Sequence, residues 1–169
     1  MSGGRLQDYQ PLLVTGAGLA LLPFVLTVLG LTYTSASEVV IFGIACLGLN
    51  ILVGFTGLVS FGHGAWFGLA AYTAAIVQRE YLPGHVLLPA LAALALVAVA
   101  AALFGALILR RRGVYFSLMT LALAAMLYSI AFRWTALTGG ENGLGNITRP
   151  IVAGLDLSSS ERFYWLVAA

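Results

Sequence analysis

Long uncharged apolar runs, broken by short polar stretches, set the pattern of this 169-residue chain. Residues 12–31 form the first, twenty residues without a charge. At about 1.5 Å per residue, a helix of that length crosses a hydrocarbon core of about 30 Å. Pro23 falls in the middle of the run and predicts a kink, with the freed carbonyl met by a neighbouring helix. A cleaved signal peptide is the competing reading, because Arg5 precedes the run and Thr34, Ser35, Ala36 and Ser37 follow it. The run is longer than the usual apolar region of such peptides, about 7–15 residues.

From 39 to 78 no Asp, Glu, Lys or Arg occurs, a length that holds two spans, 39–53 and 58–78. The expected break between them is Gly54, Phe55, Thr56 and Gly57. Residues 86–109 give a fourth span, with Pro89 tolerable in its first turn, and 114–132 a fifth. A polar, glycine-rich segment covers 133–162, and residues 163–169 turn apolar again but are too few to cross a membrane. The expectation is an all-α, polytopic transmembrane helix bundle of five complete spans plus the start of a sixth. It forms one domain over 1–169, read as the N-terminal part of a longer, permease-like chain.

Composition turns that pattern into a solvent argument. Hydrophobic residues make up 61% of the chain and charged ones 8%, against about 25% in a soluble domain. The mean hydropathy is +1.01. Eight basic and six acidic side chains cannot cover a water-facing surface of this size. A net charge of +2 gives no footing for nucleic acid, and the single cysteine, Cys46, forms no intramolecular disulfide.

The arginines orient the bundle. Arg110, Arg111 and Arg112 form the densest basic cluster, between the fourth and fifth spans, and mark the cytoplasmic side. Counting back puts the amino terminus in the cytoplasm and the 133–162 segment outside. Plain positive-inside anchoring explains the cluster; contact with acidic headgroups or a cytoplasmic partner is the functional alternative. A re-entrant bend at 54–57 would reverse the parity.

The chemistry that is missing narrows the function. The chain has no lysine, so a phosphate-binding loop ending in Lys-Ser/Thr and a Schiff base are both excluded. No Asp or Glu falls within an expected span, where ion-coupled carriers commonly keep one. His63 and His85 stand apart from one another and from Cys46, which gives no metal-ligand pattern and no catalytic set. Energy for solute movement then comes from a partner or from the solute gradient.

Polar residues inside the apolar runs are the candidate site. Asn50 and His63 must find hydrogen-bond partners in lipid, so each either lines or gates a pathway or bonds structurally. Ser60 is expected to cap a helix beginning near Gly62, making His63 a first-turn residue beside a break. Gly64 and Gly68 share one helical face and suit close helix packing. In the outer segment, Thr138, Gly139, Gly140 and Asn142 carry turn chemistry. They serve solute contact, gating, docking of a binding protein, or a plain loop. Asn146, Ile147 and Thr148 match a glycosylation sequon, which carries meaning only in a chain that is not bacterial.

The run from Gly54 to Tyr72, GFTGLVSFGHGAWFGLAAY, resembles the signature of inner-membrane permeases of branched-chain amino-acid ABC importers, and most of all their LivM-type subunit. Arg112-Gly113-Val114-Tyr115-Phe116, then Thr120-Leu121, then Thr138-Gly139-Gly140-Glu141-Asn142-Gly143-Leu144 follow in the same order, and the resemblance runs from about Ile41 to Pro150. It departs at Ala125, where such permeases often carry an acidic or amide residue. It implies one of two permease subunits in a bacterial inner membrane. A second permease subunit, cytoplasmic ATP-binding subunits that hold ATP and Mg, and an extracytoplasmic (periplasmic) substrate-binding protein complete the importer. No cofactor is expected in this chain. Permeation of another small solute such as urea, or a non-transporting scaffold role, stays open.

Overall fold

The computed structural model of the chain describes residues 4–110, 113–145, 147, 151–152 and 155–169. They are helical almost throughout: α1 (Gly4–Val28), α2 (Tyr33–Thr56), α3 (His63–Ile76), α4 (Leu87–Ile108), α5 (Val114–Arg133), a single turn α6 (Thr135–Thr138) and α7 (Ser160–Ala168). A π-helical turn (Val77–Tyr81) prolongs α3, and a 3-10 turn (Gly140–Asn142) follows α6. The only strands among the described residues are β1 (Ile151–Val152) and β2 (Leu155–Asp156), paired antiparallel with Ile151 opposite Asp156.

Among the described residues, α2, α4 and α5 are each long and apolar enough to cross a membrane. Only 6%, 11% and 22% of the residues in their most apolar stretches, respectively, are buried within the chain, so α5 is the best covered of the three. Phe55, Leu87 and Val114 are each more than two-thirds exposed. Apolar side chains displayed on that scale suit lipid and not water.

Two compact units divide the chain. The first comprises Met1–Ile44 with Leu157–Ala169. In it α1 ends on Gly30, whose φ of +79° lets the chain turn back. The Gly30 N–H donates to Thr27 O at 3.0 Å and the Leu31 N–H to Leu26 O at 2.9 Å, the paired bonds of a Schellman end. The apolar run therefore leaves helix before residue 31. The next helix starts early, at Tyr33, because the Ala36 N–H already bonds Thr32 O and the Ser37 hydroxyl folds back onto Tyr33 O. Glu38 thus lies in the second turn of α2, exposed, which corrects the expectation that no carboxylate falls within a span.

The core of this unit is Ala36, Val40 and the fully buried Tyr164, packed with Leu19, Leu22 and Leu26 of α1. Tyr164 also does the polar work. Pro23 has no N–H, so the carbonyl four residues back, Leu19 O, has no helical donor. The Tyr164 hydroxyl donates to that oxygen. The freed carbonyl is met by a neighbouring helix, as the sequence predicts.

The second unit is Ala45–Asp156. Here α3 packs chiefly on α4 and next on α5. Ile108, Phe116 and Leu123 form its buried cluster, with Leu58, Trp66, Phe104 and Leu127 against them. The Trp66 and Phe104 rings lie 6.2 Å apart.

The Tyr164 bond is testable by a double-mutant cycle. Tyr164→Phe is expected to lower stability by about 1 kcal/mol beside Pro23. Beside Pro23→Ala the loss shrinks, because the alanine N–H returns to Leu19 O. Thermal unfolding of the purified single and double variants measures both. Equal losses in the two backgrounds would detach Tyr164 from the proline.

Candidate functional site

The α2–α3 connection is the first of two irregular segments that shape the site. Helix α2 runs through Gly54 and stops only at Gly57, whose φ is +66° and whose N–H bonds Val53 O at 2.9 Å. Thr56 sets this end: its hydroxyl donates to Leu52 O at 2.6 Å and accepts the Leu58 N–H at 3.3 Å. The break accordingly covers 57–62, later than the expected 54–57. Two side chains of α5 hold the link. The Ser117 hydroxyl donates to Val59 O at 2.7 Å, and the Phe61 N–H donates to the Thr120 hydroxyl at 3.1 Å. That same hydroxyl donates onward to Ser117 O at 2.8 Å. At Gly62 a Cβ would stand 2.2 Å from Thr120 O, so only glycine allows this approach to α5.

The second irregular segment follows α5. Trp134 leaves the helix and α6 adds one turn. The Thr138 hydroxyl lies between two carbonyls, Ala131 O at 2.5 Å and Trp134 O at 2.8 Å, and accepts the Gly140 N–H at 3.3 Å. Gly139, with φ of +77°, comes so close to Gly143 that a Cβ would stand 2.0 Å from its carbonyl oxygen. Gly140, at φ of +60°, lies against Thr135 and Phe132.

Between these two knots, α3 and α5 border a trough of about 640 Å³. Gly64, Gly68 and Tyr72 line it from α3, Ala124 and Tyr128 from α5, and Thr138 and Gly140 from the segment after α5. Its walls are almost wholly apolar. No atom lies within 4 Å of where a Cβ on Gly64 or Gly68 would stand, so these glycines open the trough rather than admit a neighbouring helix of the described chain.

The remaining candidates disperse. His63 is the first residue of α3, and its Nε2 lies 3.4 Å from where a Cβ on Gly48 would stand. Asn50, two residues on and so about 200° around α2, is turned from Gly48 and exposed. The two are not brought together. Ser60 is 8% exposed but does not cap α3: the N-cap is Gly62, with no side-chain cap bond. Ser60 precedes the N-cap by two residues, whereas capping needs the oxygen at the N-cap itself. Asn142 is exposed on the 3-10 turn. Arg110 is exposed, while Arg111, Arg112, Asn146 and Thr148 lie outside the described residues. Among the described residues no group of three His, Cys, Asp or Glu side chains gathers as for a metal. The sequence pattern does not single out Ser117, and Thr120 stands in it only within a motif. Their spacing of three, on one face of an apolar span, was the available signal.

Comparison with known proteins adds a lineage to this geometry. The family model described as branched-chain amino acid transport system / permease component matches residues 31–169. The high-affinity branched-chain amino acid transport system permease protein LivM of Salmonella typhimurium is 36% identical over 127 residues, which is 75% of this chain and 30% of that protein. The protein of the same name from Escherichia coli is 34% identical over 131 residues, 78% of this chain and 31% of that one. The chain thus spans about a third of the length of the curated relatives it matches. No solved structure matches.

The glycines separate into two classes that substitution should distinguish. Gly62→Ala and Gly139→Ala force a methyl onto a carbonyl and are expected to destabilise by about 1–3 kcal/mol. Gly64→Ala and Gly68→Ala meet open space within a helix and should be neutral or stabilising by up to about 1 kcal/mol. Melting temperatures of the four purified variants check this; a loss at Gly68 equal to that at Gly62 would contradict it.

Proposed function

The chain belongs to the branched-chain amino acid transport permease family, and from that premise we propose that it forms part of a membrane permease subunit of an ABC importer for branched-chain amino acids. The observation that carries the reading is the family match over 31–169, reinforced by two relatives whose names state that transport role. The subunit lies in a bacterial inner membrane with five crossings. These are α1, α2, α3 with its π-helical turn, α4 and α5, and α7 begins a sixth. The amino terminus and the Arg110, Arg111 and Arg112 turn face the cytoplasm, and the segment after α5 faces outward.

In this reading the chain performs no catalysis. A second permease subunit completes the pathway, an extracytoplasmic binding protein delivers solute, and two cytoplasmic subunits bind and hydrolyse ATP with Mg. The trough between α3 and α5 forms one wall of the pathway. Its apolar lining suits an aliphatic side chain, which a polar wall would strip of favourable contact. Asn50, Ser60, His63 and Asn142 do not line it, so any contact of theirs with solute lies elsewhere along the pathway. The absence of any lysine or phosphate loop fits a chain whose energy enters through a partner.

Orientation is tested by labelling. In a Cys46→Ser background, Arg110→Cys should resist impermeant thiol reagents in intact cells, and Asn142→Cys should react. Position 110 serves better than 113, where a φ of +63° disfavours a side chain. The reverse labelling would invert the topology.

Energetics test the assignment itself. The complete permease reconstituted alone should neither hydrolyse ATP nor accumulate leucine under an imposed proton or sodium gradient. Accumulation should appear when the second permease, the ATP-binding subunits, the binding protein and Mg-ATP are all present. Gradient-driven accumulation by the permease alone would make it a secondary carrier.

A further inference from the structure

We propose that Ser117 and Thr120 are positioning residues for solute passage, fixing the 57–62 link to α5 so that the trough keeps one shape. The role rests on the permease reading; the geometry does not. Six residues of non-helical backbone in a membrane protein need partners that lipid cannot supply. Val59 O and the Phe61 N–H find theirs on two hydroxyls of α5, at 2.7 and 3.1 Å. The Thr120 hydroxyl accepts from Phe61 and donates to Ser117 O, so its donor and one acceptor site are used at once. Below this pair, Gly62 lies on the Thr120 carbonyl. On the apolar side, Leu58 packs against the cluster of Ile108 and Phe116 that flanks the α4–α5 turn. The link is thus fastened to α5 by polar bonds and to the α4–α5 corner by an apolar contact.

Neither hydroxyl lines the trough, and Thr120 is 6% exposed. These residues act through α3 and do not touch solute. Thr120 meets the residues immediately before His63, so it sets where α3 begins. That register determines which face carries Gly64 and Gly68, and so the width of the trough. Ser117 stands one helical turn beyond Gly113, the N-cap of α5.

The test uses the complete permease with its partner subunits and binding protein, in proteoliposomes containing Mg-ATP and supplied with radiolabelled leucine. Thr120→Val keeps the shape but removes both bonds; Ser117→Ala removes the bond to Val59. Each should lower the maximal uptake rate at least about tenfold with an apparent KM little changed, and Thr120→Ser should recover most of the rate. A second readout needs no transport. In a Cys46→Ser background, Ser60→Cys in the complete permease should label slowly with a small thiol reagent. Labelling should become about tenfold faster with Thr120→Val or Ser117→Ala and slow again with Thr120→Ser. Unchanged labelling in both variants would overturn the clamp, as would wild-type uptake in both. Failure of the unaltered complex to take up leucine would defeat the permease reading alone, and the labelling would still decide the clamp. Should Thr120→Val not reach the membrane, Ser117→Ala carries both measurements.

Discussion

A peptide group that leaves helical geometry among apolar surroundings must be met by another protein group, and this obligation organises the chain. Three departures from regular helix show how it is met. Pro23 frees Leu19 O, and Tyr164 supplies the donor from α7. The 57–62 link frees Val59 O and the Phe61 N–H, and α5 supplies Ser117 and Thr120. After α5 the Thr138 hydroxyl bonds the carbonyls of Ala131 and Trp134 and accepts the Gly140 N–H. Each polar side chain answers a backbone defect, and each defect lies where two elements must touch.

Glycine performs the complementary task. At Gly62, Gly139 and Gly140 the missing Cβ permits backbone to lie on neighbouring chain, and any larger residue would force these knots apart. At Gly64 and Gly68 it does the reverse, leaving open space between α3 and α5. Glycine thus serves close backbone approach at Gly62, Gly139 and Gly140 and open space along the trough at Gly64 and Gly68. Apolar packing of Trp66 on Phe104 holds α3 against α4 meanwhile, so the opening does not simply collapse.

How far this could be read beforehand depended on the range of the interaction. Apolar runs gave the helices, because a span is a property of consecutive residues. The Pro23 defect was also local, and the need for an outside donor followed, although the donor's identity did not. The glycines of 54–57 predict the break there, but Thr56 bonds back to Leu52 and carries the helix past Gly54. Ser60 looked like a cap because a serine stood ahead of a helix, yet the helix starts two residues beyond its reach. Ser117 and Thr120 lie 58 and 59 residues from their partners, and no periodicity connects them. Asn50 and His63 share an apolar region of sequence but not a side of α2.

The choice of hydroxyls over charges at these joints has an energetic consequence. A buried ion pair broken on one side costs about 3–5 kcal/mol, whereas a neutral hydrogen bond contributes about 1 kcal/mol. Joints of the second kind can yield and reform as helices shift, each at a cost that a packing change can offset. The one ion pair among the described residues, Arg79 with Glu80 at 2.8 Å, joins neighbours in the π-helical turn and ties no two helices together. Glu38 likewise stays exposed in the second turn of α2, away from the middle of that span. A membrane domain jointed by hydroxyls and glycines resists separation of its parts only modestly.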